Sequence, residues 1–115
     1  YNLVYCKGEV DNRSSILIKS NINFLFVDGL SDEDLTVINV KLGSYGYLIA
    51  SAYLGIKAAI PSLKLKKLVE RNNPQLVGSD ANAHNLNWGS KETNERGECL
   101  MNFIIHNNLV VHNRG

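Results

Sequence analysis

A polar cluster directly follows an apolar stretch in the second half of the chain. Asp80, Asn82 and His84 come after residues 75 to 79, which read as a buried strand. In α/β proteins, ligands commonly lie just beyond the carboxyl ends of strands, because loops there aim side chains while the strand fixes the backbone. A carboxylate can accept a proton or a hydrogen bond, and an amide offers hydrogen-bond donors without adding negative charge. Aspartate and asparagine are also common turn-formers, so the spacing alone leaves a catalytic loop and an ordinary turn both open.

The elements that must position this cluster include a β-hairpin. Residues 36 to 42 alternate, with Ile38, Val40 and Leu42 on one face, as in a half-buried strand. A glycine-containing turn at 43 to 46 then leads to a second apolar strand at 47 to 53, so the simplest arrangement is a hairpin. Earlier, shorter strands are predicted at 3 to 5, 15 to 19 and 23 to 27.

Two helices and two further strands complete the predicted order. Pro61 suits a first helical position, and the helix presents Leu65, Leu68 and Val69 on one face until the stop signal at 72 to 74. Asn94 can cap a second helix whose buried face carries Leu100, Phe103 and Ile104. A last strand is predicted at 109 to 112. The pattern is that of an α/β fold, a sheet covered by helices.

Composition limits the classes of protein that fit. With 44% hydrophobic and 20% charged residues in 115, the chain predicts one soluble globular unit. Its apolar runs are far shorter than the roughly 20 residues that cross a bilayer, so no membrane association is expected. The net charge of +1 provides no strong field that would attract nucleic acid. Cys6 and Cys99 form no CxxC pair or dense framework, which favours reduced thiols and an intracellular setting.

Other readings of single residues stay open from the pattern alone. The three histidines and two cysteines lack the paired spacing of a zinc site. Tyr53 can be a half-buried strand tyrosine with a solvated hydroxyl, and Trp88 can pack beneath the neighbouring loop or be exposed for stacking. Lys64, Lys66 and Lys67 suit a solvated helix face.

Several ordered sequence blocks carry a family resemblance. They are Val77-Gly78-Ser79-Asp80-Ala81-Asn82-Ala83-His84, Trp88-Gly89-Ser90 and Asn94-Glu95-Arg96-Gly97, with Ser51-Ala52-Tyr53-Leu54 and residues 12 to 18 upstream. The series resembles the endonuclease domain of non-LTR retrotransposons, within the endonuclease/exonuclease/phosphatase superfamily. The resemblance implies an α/β fold of the α+β type, part of a two-sheet β-sandwich flanked by helices. Departures flank the motif: Ser79 and Ala81 replace the usual residues beside Asp80, and Gly55 stands where proline is common.

The resemblance also implies roles for individual residues. Asp80 would activate or orient the attacking water, and Asn82 would bind the scissile phosphate. Tyr53 matches the tyrosine whose hydroxyl supports the charge that grows on the phosphate, which gives a catalytic set of Asp80, Asn82 and Tyr53. His84 is a candidate phosphate contact, although a hydrogen bond that braces the loop is an equally ordinary role for it.

The same resemblance predicts that residues 1 to 115 are a partial domain, truncated at both ends. A glutamate that holds Mg²⁺ upstream and an Asp-His pair downstream have no matching motif in the chain, so no metal ligand is assigned within it. The intact parent is expected to use Mg²⁺ to hydrolyse phosphodiester bonds of DNA in the nucleus, nicking a target to prime a reverse transcriptase in the same polypeptide, whereas the fragment alone is expected to be inactive. The alternatives are another phosphoesterase of the superfamily, acting on RNA, lipids or inositol phosphates, and a decayed remnant without catalysis.

Overall fold

The chain forms two compact units. A computed structural model describes residues 1–8 and 11–113. Unit 1 consists of Tyr1–Tyr53 and Leu63–Asp80, and unit 2 of Leu54–Ser62 and Ala81–Gly115. All the strands described lie in unit 1, whereas the longer of the two α-helices lies in unit 2.

Unit 1 contains two sheets. A small antiparallel sheet joins strands β1 (Asn2–Val4) and β2 (Ile16–Ile18). The larger sheet has the order β3-β4-β5-β6, and its strands are Phe24–Phe26, Leu35–Leu42, Tyr45–Tyr53 and Gln75–Asp80. The β4–β5 hairpin turns at Gly43, whose φ of 66° is a conformation that favours glycine, so the predicted hairpin is confirmed. Strand β6 runs parallel to β5 and follows a crossover that carries helix α1 (Leu63–Val69).

One buried cluster of unit 1 lies between the two sheets. Val4 and Ile18 of the small sheet form one buried cluster with Ile38 and Val40 of β4. Val37, on the opposite face of β4, is also fully buried. The prediction that only one face of β4 is buried is therefore wrong for the first part of the strand, because both faces are covered there.

One polar pair is built into this core. Thr36 is fully buried, and its hydroxyl lies 2.8 Å from the Ser14 hydroxyl and donates to the Ser14 carbonyl oxygen at 3.1 Å. Buried hydroxyls that are hydrogen-bonded avoid most of the desolvation cost of burial. The pair fixes the segment before β2 against the start of β4.

The prediction of a buried strand at 75 to 79 is wrong in its burial. The strand forms as Gln75–Asp80, but Leu76 is 59% exposed and Gly78, Ser79 and Asp80 are exposed. Within the described residues β6 is an edge strand that pairs with β5 alone, so one side of it has no neighbouring strand.

Helix α1 begins two residues later than Pro61 suggests. It spans Leu63–Val69 and buries Leu65 and Leu68, as the predicted spacing requires. Pro61 itself follows a cis peptide bond from Ile60, and lies before the helix. The Lys64 ammonium donates to the Gly29 carbonyl oxygen at 2.9 Å, while Lys66 and Lys67 are exposed.

Unit 2 is organised around helix α2 (Glu95–His106). Asn94 caps the helix as predicted, because its side-chain oxygen accepts from the Gly97 N–H at 2.8 Å. The helix ends at His106, and Asn107 is its C-terminal capping residue. Asn108 has a positive φ of 55° and turns the chain away from the helix. The strand predicted at 109 to 112 is absent: these residues pair with no described strand, and Val110 is 75% exposed. Among the helices described, none is both long and apolar enough to cross a membrane.

Candidate functional site

Two of the predicted site residues end neighbouring parallel strands. Tyr53 is the last residue of β5, Asp80 is the last residue of β6, and the two are register partners. Register partners on adjacent strands share a face of the sheet, and the strands lie about 4.8 Å apart. The structure therefore brings Tyr53 and Asp80 together at one edge. Asp80 is exposed and Tyr53 is half-buried, so both can meet a ligand from solvent.

A charged pair extends this row on the other side of Tyr53. The Tyr53 N–H donates to the Asp34 carbonyl oxygen at 2.8 Å, at the start of β4. The Asp34 carboxylate accepts two hydrogen bonds from Arg13, at 2.5 Å from Nε and 3.0 Å from Nη2. Neither residue is predicted as part of the site, because their pairing across 21 positions has no local pattern.

The charge of Arg13 is fixed by this pair. Its hydrogen bond to Asp34, followed by the negative charge of Asp34, raises the pKa of the Arg13 guanidinium further above its usual high value. Desolvation acts in the opposite direction and is outweighed. Arg13 is half exposed. The ion pair adjoins Tyr53 through the Asp34 carbonyl oxygen.

Asn82 belongs to unit 2 and adopts an unusual backbone conformation. Its φ is 47°, in the left-handed region that residues other than glycine seldom adopt and asparagine tolerates best. Its side-chain Nδ2 donates to the Leu54 carbonyl oxygen at 2.9 Å. One N–H of the amide is engaged in this way. The amide has a second N–H and an acceptor oxygen, so it can still bind another group.

The guanidinium of Arg96, in the first turn of α2, contacts the same part of unit 2. Its Nε donates to the Asn82 carbonyl oxygen at 3.1 Å, and Nη1 donates to that of Ala58 at 2.7 Å. Its Nη2 donates to the carbonyl oxygens of Gly55 at 2.8 Å and Ala81 at 3.4 Å. The Asn-x-Arg-Gly block was predicted only by resemblance, and the bonds of Arg96 were not foreseen.

The start of α2 also holds His84 in place through its backbone. The His84 N–H donates to the Asn94 side-chain oxygen at 3.1 Å, and the Asn94 N–H donates to the His84 carbonyl oxygen at 3.0 Å. Gly97 lies so close that a Cβ there would overlap the same carbonyl oxygen. The His84 side chain is exposed, so the bracing observed is made by its backbone.

The loop that follows is rigid through its own polar contacts. Asn85 is buried, and its side chain donates to the Gly97 carbonyl oxygen at 3.3 Å and accepts from the Asn87 N–H at 2.9 Å. The Trp88 indole N–H donates to the Ala83 carbonyl oxygen at 3.2 Å. Trp88 is half-buried, which agrees with packing against the loop.

The described residues do not by themselves make a metal centre. In residues 1–8 and 11–113 there is no group of three or more His, Cys, Asp and Glu side chains that could hold an ion. Asp80 offers one exposed carboxylate at the end of β6, and Mg²⁺ in proteins takes one or two carboxylates together with several waters. Asp80 fits one ligand position, and the set is incomplete.

Comparison with known proteins gives matches of two kinds, to a family model and to solved structures. A family model described as "Endonuclease-reverse transcriptase" matches residues 47–115, and no curated protein matches the chain. Six chains of solved structure match it. One is the endonuclease domain of TRAS1, a telomere-specific non-LTR retrotransposon, with a TM-score of 0.78 and 23% identity. The match covers 88% of this chain and 48% of the TRAS1 chain, so this chain spans about half of that structure and shares its mixed α/β fold of two sheets and helices.

Proposed function

Since the chain belongs to the endonuclease–reverse transcriptase family, we propose that it is part of a domain that cleaves phosphodiester bonds of DNA by attack of water. The observation that carries the proposal is the register pairing of Tyr53 with Asp80 at the shared end of two parallel strands. Sites in α/β folds commonly form at such strand ends. Asn82 follows Asp80 by two residues, as the motif requires.

Each of the three residues has a role that its chemistry suits. The Asp80 carboxylate accepts a hydrogen bond or proton from the attacking water and so orients and activates it. The Tyr53 hydroxyl donates to the phosphate oxygen on which negative charge grows. The Asn82 amide uses its remaining N–H to bind the scissile phosphate, while its other N–H holds the Leu54 carbonyl oxygen.

His84 is proposed as a contact to substrate. Its backbone is fixed by two hydrogen bonds to Asn94, and its side chain is exposed. An imidazole on a fixed backbone can donate to a phosphate at little cost in conformational entropy.

The wider activity follows from the relatives and belongs to the same proposal. The intact domain would use Mg²⁺, which would offset the negative charge of the phosphate, and no ligand of the ion is assigned within this chain. The TRAS1 domain is an endonuclease of a non-LTR retrotransposon. By analogy the parent of this chain nicks target DNA in the nucleus, so that a reverse transcriptase in the same polypeptide can begin synthesis.

Nicking of supercoiled plasmid by the complete domain tests the proposal. Asp80→Asn and Tyr53→Phe remove one chemical group each with little change in volume, and Asp28→Asn removes an exposed carboxylate on the Asp28–Leu30 turn as the matched control. We expect the rate to fall by roughly 10²- to 10⁴-fold in Asp80→Asn and to be unchanged in Asp28→Asn. DNA affinity should be nearly the same in all variants, because phosphate contacts over a wide surface provide it. Nicking by Asp80→Asn at the wild-type rate would show that the motif is only a turn.

A further inference from the structure

Arg96 uses its guanidinium on the protein's own backbone. Its three nitrogens donate to four carbonyl oxygens, all within unit 2, at 2.7 to 3.4 Å. A guanidinium has five N–H groups in a rigid plane, so four such bonds use most of its donors and fix its orientation. An arginine engaged in this way is a poor partner for a phosphate. It is well suited to hold segments of chain in a fixed relation.

The carbonyl groups belong to two segments that lie far apart in sequence. Gly55 and Ala58 come shortly after Tyr53, whereas Ala81 and Asn82 come directly after Asp80. Arg96 is 41 residues from Gly55 and 38 from Ala58, and it is 15 from Ala81 and 14 from Asn82. The Asn82 side chain joins the same segments through the Leu54 carbonyl oxygen. The segments that leave the two candidate catalytic strands are therefore cross-linked to each other.

The backbone of Asn82 needs such support. A left-handed residue other than glycine persists only where its surroundings determine its conformation. The Arg96 Nε bond to the Asn82 carbonyl oxygen and the Asn82 bond to Leu54 act on this one residue from two sides. Without them, rotation of the backbone would redirect the amide that is proposed to bind phosphate.

The position of Arg96 itself is well defined. It lies in the first turn of α2, between the capping residue Asn94 and Gly97, whose neighbours His84 and Asn85 are bonded to the helix start. The guanidinium thus extends from a rigid element, which is what a positioning group requires.

We propose that Arg96 is a positioning residue for catalysis: it sets the direction of Asn82 and the path of the segment after Tyr53, without touching DNA. The inference rests on the proposed function, because it assumes that Asn82 binds the scissile phosphate. Displacement of a substrate-binding group by about 1 Å can cost roughly 100-fold in rate. We therefore expect Arg96→Ala to lower kcat by about 100-fold while KM for DNA stays within about twofold.

The experiment compares single-strand nicking by the complete domain in wild type, Arg96→Ala, Arg96→Lys and the exposed control Arg71→Ala. Guanidinium at a concentration too low to denature should restore part of the rate of Arg96→Ala, because it can occupy the vacated donor positions, and methylammonium should not. It should not rescue Asp80→Ala. Arg96→Lys should be intermediate, since one ammonium cannot reach both segments with the same geometry.

Hydrogen–deuterium exchange provides a second readout that does not depend on activity. In Arg96→Ala, amides in residues 81 to 86 should exchange faster, whereas those of the β4–β5 hairpin should be unchanged. A higher KM with unchanged kcat would overturn the proposal, since Arg96 would then contact DNA. A wild-type kcat in Arg96→Ala would also overturn the proposal, and so would a loss of kcat that guanidinium does not restore. If the wild-type domain does not nick DNA while exchange still rises, the proposed function fails and the structural part of the inference stands.

Discussion

Substitution of Gly97 by alanine tests the close packing at the start of α2. An added Cβ would overlap the His84 carbonyl oxygen and carbon, which are backbone atoms. They cannot move freely, because His84 and Asn94 are joined by two hydrogen bonds and Asn94 also caps the helix. The variant must therefore displace the helix start or break the cap.

The change in the free energy of unfolding has three contributions, of which two are destabilising and one is stabilising. Forcing extra volume into a packed site costs typically about 1–3 kcal/mol. Loss of the Asn94 cap costs about 1 kcal/mol. Replacement of glycine by alanine in a helix gains about 1 kcal/mol, which cancels the loss of the cap. The net expectation is that Gly97→Ala lowers the free energy of unfolding by about 1–3 kcal/mol.

Urea unfolding of the 115-residue chain measures this change. Trp88 is the only tryptophan, and its indole N–H donates to the Ala83 carbonyl oxygen in the same unit as Gly97. Its fluorescence therefore reports on the unfolding of unit 2. Far-UV circular dichroism reports on the whole chain. Gly29→Ala is the matched control, because a Cβ there meets nothing within 4 Å, and its stability should be unchanged or slightly higher. If the urea concentration at the unfolding midpoint of Gly97→Ala were equal to or above that of the wild type, the reasoning would be refuted.

Three further predictions concern the same chain. Asn82→Ala should be about 1 kcal/mol less stable than Asn82→Gly in thermal denaturation, because alanine is strained at a φ of 47° and glycine is not; equal stability would argue against that backbone conformation. Thr36→Val should cost about 1–3 kcal/mol by urea unfolding, since the buried Ser14 groups lose their partner, whereas Ser44→Ala on the exposed hairpin turn should cost little. The chain alone should not nick supercoiled plasmid in the presence of Mg²⁺, and nicking that copurifies with it and disappears in Asp80→Ala would contradict the expected incompleteness of its site.

Local patterns predicted those elements whose cause is local. The β4–β5 hairpin followed from alternation and a glycine turn, and the cap of α2 followed from Asn94, because both depend on residues close in sequence. Tyr53 and Asp80 are register partners at the ends of two parallel strands, and their catalytic roles stay a prediction.

The misses have a common physical origin in distant partners. Burial of residues 75 to 79 depends on how many strands flank β6, and a strand at 109 to 112 requires a partner strand, neither of which an apolar run can specify. The bonds of Arg96 and the Arg13–Asp34 pair join positions 14 to 41 residues apart. Only the recurrence of Asn-x-Arg-Gly in a known family pointed to Arg96, without giving its partners.

The long separations in the Arg96 contacts have a consequence for synthesis on the ribosome. Gly55 and Ala58 are made 41 and 38 residues before the arginine that holds them, so the segment after Tyr53 has no such partner until α2 has been translated. The β4–β5 hairpin, by contrast, contains its own partners and can form early. The segment after Tyr53 therefore acquires these contacts later in synthesis than the hairpin acquires its own.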